Sequence, residues 1–248
     1  MVSIVTGAGT GIGRATALAL AAAGGPGSAV VLAGRRVDSL QETASLVERA
    51  GARPIVEAAD VGEPADVERI RGSAEEQGGA VDVLVNNAGV NVPARALDRL
   101  KVGDWEQILH VNATGPFLMT RAVLPGMRAR RRGTIVNVSS LAGIRPGRLA
   151  GPAYSAAKAA LISFTESINA SERRYGIRAC AVCPGEVATP ILDDRPVPPP
   201  PAARELMLQP EDVASTIVHV VTLPGRALID LVTILPTAPR DSSAEITD

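Results

Sequence analysis

The chain has 248 residues, 46% apolar and 21% charged, with a formal net charge of −1. Such a chain can bury one sizeable core, which excludes a disordered polymer, and its near-neutral charge offers nucleic acid no electrostatic footprint. Aromatic residues are only 2% of the total, so the core must be aliphatic.

Taken in order, short β-branched runs alternate with longer segments of helical period. Strands are expected at 2–6, 29–33, 54–58, 81–86, 134–139, 178–183 and 229–235, and helices at 11–23, 38–50, 64–77, 104–130, 152–175 and 210–222. Most of the strand runs are continuously apolar, as a sheet covered on both faces requires. Strand and helix in alternation predict a single α/β domain over 1–248, a Rossmann-type doubly wound parallel sheet of about seven strands. The Ala-rich stretch from Ala15 to Ala33 is broken by Gly24, Gly25, Pro26 and Gly27, and no apolar run reaches the roughly 20 residues that span a bilayer. The N-terminus lacks a cationic region ahead of an apolar one, which leads us to expect a cytoplasmic protein.

Two stretches depart from the alternation. The Pro-rich segment 186–209 excludes regular helix or strand and sits where a mobile cover over a site belongs. The polar tail 236–248 is expected to be flexible. The cluster Arg128–Arg132 falls at the end of a helix stopped by Gly133, where cations suit the helix dipole. Cys180 and Cys183 have redox-motif spacing, but on a strand residues three apart face opposite ways, and no other group of residues has metal-ligand spacing.

The first strand runs into Gly7, Gly9, Thr10, Gly11, Ile12 and Gly13 and then a helix. These glycines follow G-x-x-x-G-x-G, a backbone that a pyrophosphate can approach at a helix N-terminus. A site for NAD places a carboxylate at the end of the second strand, about 20 residues on. This chain has Arg35 and Arg36 there, and guanidinium groups bind a 2′-phosphate that a carboxylate would repel. The expected cofactor is NADP(H) in preference to NAD(H), with Arg35 the principal contact and Arg36 in support. Further on, Tyr154 and Lys158 lie four apart on a helical segment and share one face. A lysine ammonium beside a tyrosine favours the phenolate and brings it toward a useful acid–base range.

The motifs Thr6-Gly-x-x-x-Gly-Ile-Gly13, Asp60-Val61, Asn86-Asn87-Ala-Gly89, Asn112, Val138-Ser139-Ser140, Tyr154-x-x-x-Lys158 and Pro184-Gly185-x-Val-x-Thr189 follow one another in that order. On these, the chain resembles the short-chain dehydrogenase/reductase family. The resemblance implies a seven-stranded Rossmann sheet, a nicotinamide cofactor and reversible carbonyl/alcohol oxidoreduction on a small to medium substrate. It implies that Tyr154 exchanges the proton with the substrate oxygen, that Lys158 lowers its pKa and holds the nicotinamide ribose, that Ser140 donates to the substrate carbonyl and that Asn112 anchors a water relay. It also implies cofactor contacts from Asp60 and Val61 at the adenine, Asn87 and Gly89 at the ribose, and Pro184, Gly185, Val187 and Thr189 near the nicotinamide. Within the family, Val31-Leu-Ala-Gly-Arg-Arg36 resembles the 3-hydroxy acid and serine dehydrogenase branch, and analogy implies a homodimer or homotetramer.

Two departures stand out. Ser140 precedes Tyr154 by 14 residues, one more than the common spacing, and Glu186 replaces the commoner apolar residue after Pro184-Gly185. Glu186 could face solvent or repel acidic substrates, while Arg145 and Arg148, between Ser140 and Tyr154, could bind a substrate carboxylate. A non-catalytic dinucleotide-binding regulator on the same fold is the alternative from another class, and the presence of Tyr154, Lys158 and Ser140 together argues against it.

Overall fold

The computed structural model describes residues 1–238 and 240–246. Seven parallel strands, β1 (Val2–Thr6), β2 (Ala29–Gly34), β3 (Arg53–Ala58), β4 (Val83–Asn86), β5 (Gly133–Val138), β6 (Ile177–Pro184) and β7 (Leu231–Ile234), form one sheet in the order β3-β2-β1-β4-β5-β6-β7. The chain therefore winds outward from β1 in one direction, then crosses back to β4 and winds out in the other. The crevice between the ends of β1 and β4 is the point at which such sheets hold ligands.

The helices are α1 (Gly11–Gly24), α2 (Val37–Arg49), α3 (Pro64–Ser73), α4 (Val102–Leu109), α5 (Gly115–Arg130), α6 (Pro152–Glu172), α7 (Pro201–Glu205) and α8 (Pro210–Thr222). Alternation along β1 sends Val5 to one face and Ile4 to the other. Val5 joins Leu20, Leu32, Leu40, Val182 and Ile217 under α1, α2 and α8. Ile4 joins Ile70, Leu84, Met119, Met127 and Ile168 under α3, α5 and α6. Both layers are aliphatic, and the two-sided burial explains why the central strands carry no polar alternation. No helix among the described residues is long and apolar enough to cross a membrane.

Several expected boundaries shift for identifiable reasons. The single helix expected over 104–130 is three segments, α4, a π-turn at His110–Thr114 and α5. Pro116 has no N–H to return to the carbonyl four residues back, that of Asn112, and a wider turn forms there. The helix expected over 64–77 ends at Ser73 and continues as a π-turn to Gly78. The cluster 128–132 ends α5 at Arg130 rather than at Gly133, with Arg131 in the left-handed conformation (φ 53°) and Gly133 opening β5. Its cations are absorbed locally: Arg128 makes a two-pronged pair with Glu172 at 2.6 Å, Arg130 donates to the Val81 carbonyl, and Arg132 lies 3.3 Å from Asp82.

The segment 186–209 does contain helix, a 3₁₀ turn at Pro190–Asp194 and α7. Both start at a proline, where the missing N–H has no partner to lose. In the tail, the described residues Arg240 and Glu245 form an ion-pair cluster with Glu186 and Arg195. Cys180 and Cys183 are free and buried, and burial pushes the Cys180 thiol up to about 12.

Arg178, on β6, spreads its guanidinium over the carbonyls of Val221, Leu223, Pro224 and Ala227 and the Thr134 hydroxyl, closing the C-terminal end of α8. Replacing it by methionine removes charge-assisted bonds to carbonyls that can partly rehydrate. Urea unfolding of Arg178→Met should show a loss of about 1–2 kcal/mol with an unchanged slope.

Candidate active site

The glycine turn is the tightest place in the fold. Gly7 has φ +65°, and a Cβ on Gly13 would land on the Gly7 carbonyl oxygen, so the first turn of α1 rests directly on the end of β1. Thr6 and Asn87 lock this turn to β4. The Thr6 hydroxyl accepts from the backbone N–H of Asn87 and of Ala88, both at 3.0 Å, and the Asn87 amide donates to the Thr6 carbonyl at 2.9 Å and the Gly7 carbonyl at 3.3 Å. Beyond the turn opens a cleft of about 1070 Å³.

Gly7, Gly9, Thr10, Gly11, Ile12, Arg35, Arg36, Asp60, Val61, Asn87, Gly89, Ser140, Tyr154, Lys158, Pro184, Gly185, Val187 and Thr189 all line it. Gly13 and Asn112 lie behind its wall. The Asn112 side chain is fully buried, accepting from the Val90 N–H at 2.8 Å and donating to the Val90 carbonyl at 2.9 Å, so its amide positions the strand exit that carries Gly89. Asp60 accepts from the Gly62 N–H at 2.9 Å. Arg35 and Arg36 are exposed at the cleft edge, and among the described residues neither has a carboxylate at ion-pair distance. Arg14, the nearest basic residue on α1, is instead spent on Glu42 at 2.7 Å. The Cβ-free turn and the N-terminus of α1 make a cradle that fits a dinucleotide, with Arg35 and Arg36 at its edge and Arg36 donating to the Thr10 hydroxyl at 3.5 Å.

At the other end of the cleft, β5 runs out into Ser139 and Ser140, and α6 presents Tyr154 and Lys158 from one face. Between Ser140 and Tyr154 the chain forms a 3₁₀ turn at Leu141–Gly143, capped by the Ser140 hydroxyl, which accepts from the Ala142 N–H at 3.1 Å, and a loop follows it. Lys158 is 3% exposed, with Nζ donating to the Val138 carbonyl at 2.8 Å and lying 5.5 Å from the centre of the Tyr154 ring. Burial lowers its ammonium to about 8. Burial pushes the Tyr154 phenol up, opposed by the neighbouring Ser140 hydroxyl and then by the positive charges of Arg95 and Arg195.

Those two arginines carried no signal in the sequence. Arg95 sits in an irregular segment after β4 and Arg195 in the Pro-rich segment, and neither belongs to a motif. Glu186, whose orientation the sequence left open, is paired with Arg240 and with Arg195 at 3.0 Å. Its charge is therefore neutralised within the wall. Arg145 is exposed at the rim of the cleft, and Arg148 lines a neighbouring cavity.

The sequence pattern of the family described as "short chain dehydrogenase" matches residues 1–197. The chain belongs to the short-chain dehydrogenase/reductase family. Among its relatives, the 2-(R)-hydroxypropyl-CoM dehydrogenase of Xanthobacter autotrophicus is 38% identical over 199 residues, which is 78% of this chain and 77% of that one. An alcohol dehydrogenase from the archaeon Thermococcus sibiricus, solved with 5-hydroxy-NADP, superposes with a TM-score of 0.84 at 26% identity, covering 97% of this chain and 98% of the other. The closed form of a serine dehydrogenase solved with NADP+ has a TM-score of 0.84 at 30% identity, over 98% of both chains. The protein is thus an oxidoreductase of the dehydrogenase/reductase type, on a single Rossmann-like domain.

The buried lysine has a measurable signature in the cofactor-free protein. Between pH 8 and 10.5 its native form has shed a proton that the unfolded chain still holds, so stability rises with pH across that window. The stability of the wild type minus that of Lys158→Met should climb by up to about 3 kcal/mol from pH 8 to pH 10.5 in chemical denaturation. A flat difference would place the ammonium in water.

Proposed function

We propose that the protein is an NADP(H)-dependent oxidoreductase that interconverts a ketone or aldehyde and the corresponding alcohol on a small to medium substrate. The observation that carries this reading is the sharing of one cleft by Ser140, Tyr154 and Lys158 with the glycine turn and with Arg35 and Arg36, neither of which has a carboxylate partner among the described residues. The NADP named with two of the solved relatives supports the same cofactor.

Arg35, seconded by Arg36, takes the 2′-phosphate, and the N–H groups at the start of α1 face the pyrophosphate. When bound, the nicotinamide dinucleotide supplies or accepts the hydride. Tyr154 gives its hydroxyl proton to the substrate oxygen in reduction and takes it back in oxidation. Ser140 donates a hydrogen bond to the same oxygen, where negative charge develops. Lys158, on the same face of α6, holds the nicotinamide ribose, and its ammonium favours the phenolate once the cleft is filled. Asn112 acts one layer back, through Val90 and Gly89. Exposed Trp105 on α4 and Phe117 on α5 support a homodimer or homotetramer built on these helices.

Two measurements test the reading. Fluorescence titration should show NADPH binding more tightly than NADH, with Arg35→Ala weakening NADPH by about 10- to 100-fold and leaving NADH nearly unchanged. Equal affinities in the wild type would overturn the cofactor assignment. Tyr154→Phe should lower kcat by about 10²–10⁴ while NADPH affinity stays within a factor of two or so; retained turnover would remove Tyr154 from proton transfer.

A further inference from the structure

Among the described residues, Arg95 is a strongly buried guanidinium on the substrate side of the cleft with no carboxylate at ion-pair distance. Its residue exposure is 7%, and it lines the cleft. Its three nitrogens donate to three backbone carbonyls: Nε to Val92 at 2.7 Å, Nη1 to Leu149 at 3.2 Å and Nη2 to Asp194 at 2.5 Å. Those carbonyls belong to three separate walls: the segment after β4, the loop before Tyr154, and the Pro-rich segment. Gly151, at the N-terminus of α6, presses on the same residue, since a Cβ there would lie 2.8 Å from both the Cβ and the carbonyl oxygen of Arg95.

Carbonyls orient a guanidinium but carry no counter-charge. Among the described residues no carboxylate lies within ion-pair distance of Arg95, and burying a charge without a partner is costly. The neighbouring charges do not make up the deficit. Glu186 and Glu245 are matched against Arg195 and Arg240, two against two, and Asp193 is paired with Arg204. Asp194 acts on Arg95 only at a distance, and Arg195 repels it, so that burial followed by this repulsion lowers Arg95 to about 10. A guanidinium has five N–H donors, and the three carbonyls use one on each nitrogen. One N–H on each terminal nitrogen is left to receive an oxyanion.

We infer that Arg95 is the acceptor for an acidic group on the substrate, so that the ketone or alcohol taken by this cleft also carries a carboxylate or a comparable small oxyanion. The inference rests on the carbonyl–alcohol reading of the same site and deepens it by naming the substrate class. Arg195, whose side chain is 9% exposed, stands behind Arg95 with its charge already balanced, so it shapes the subsite without supplying its net charge. The bound oxyanion supplies the charge that the protein omits, and the three walls tied to Arg95 are drawn onto it.

The test is equilibrium binding by calorimetry, to the protein with and without NADPH, of acetoacetate, levulinate and 5-oxohexanoate, each against its methyl ester. At least one acid should bind about 10- to 100-fold more tightly than its ester. That preference should vanish in Arg95→Met and survive in part in Arg95→Lys, which keeps the charge but not the fork. Thermal melts of both variants establish that they fold. Equal binding of every acid and ester in the wild type overturns the inference without any variant. So does a preference that persists in Arg95→Met, or an Arg95→Met that weakens acid and ester alike, which would make Arg95 a clamp on the walls only. NADPH affinity and NADPH oxidation recorded on the same samples report separately on the oxidoreductase reading.

Discussion

The close seat of α1 on the end of β1 is the constraint on which the cofactor side of this molecule depends. It requires a residue without a Cβ at position 13, a positive φ at Gly7, and something to keep the Gly7 carbonyl from turning away. Thr6 and Asn87 supply the last of these, stitching β1 to β4 with hydrogen bonds made where the two strands run out. The winding reversal leaves a crevice there, so the stitch also decides where a ligand enters. Three features that look separate in the sequence, the glycines, the Asn-Asn-Ala-Gly run and the threonine before the turn, are one mechanical unit in space.

The fold was legible because two-sided burial writes itself into composition. Strands such as Val83–Asn86 and Ala29–Gly34 have no exposed face, so they read as unbroken apolar runs, and the helices between them carry their own period. Departures arose where backbone chemistry overrides side-chain pattern. The π-turn before Pro116 has the same hydrophobic spacing as a plain helix, and only the missing proline N–H betrays it. The proline turns of the segment 186–209 read as irregular for the opposite reason, because prolines at the first position of a turn help it start.

That the glycine turn and the Tyr154–Lys158 face line one cleft was legible too, since a close helix–strand seat and a shared helix face each demand fixed residue types at fixed spacing. The substrate side makes no such demand. Arg95 and Arg195 reach Tyr154 from two unrelated irregular segments, and their separation along the chain reflects only how the walls fold over the cleft. Glu186 shows the same limit from another direction. Alone in the sequence it is an acidic group near a site, whereas its partner Arg240 lies 54 positions away and removes it from the electrostatics of the pocket.

That pairing gives the end of the chain a reach that its polar composition hides. Arg240 and Glu245 hold Glu186 and Arg195 in place from outside the sheet, and Glu245 and Ile246 also border the cavity beside Arg95. Arg240, Glu245 and Ile246 are therefore part of the wall beside the cleft. The same stretch stands apart from the glycine turn, so a change in it alters the wall around Arg195 and leaves the seat of α1 on β1 as it is.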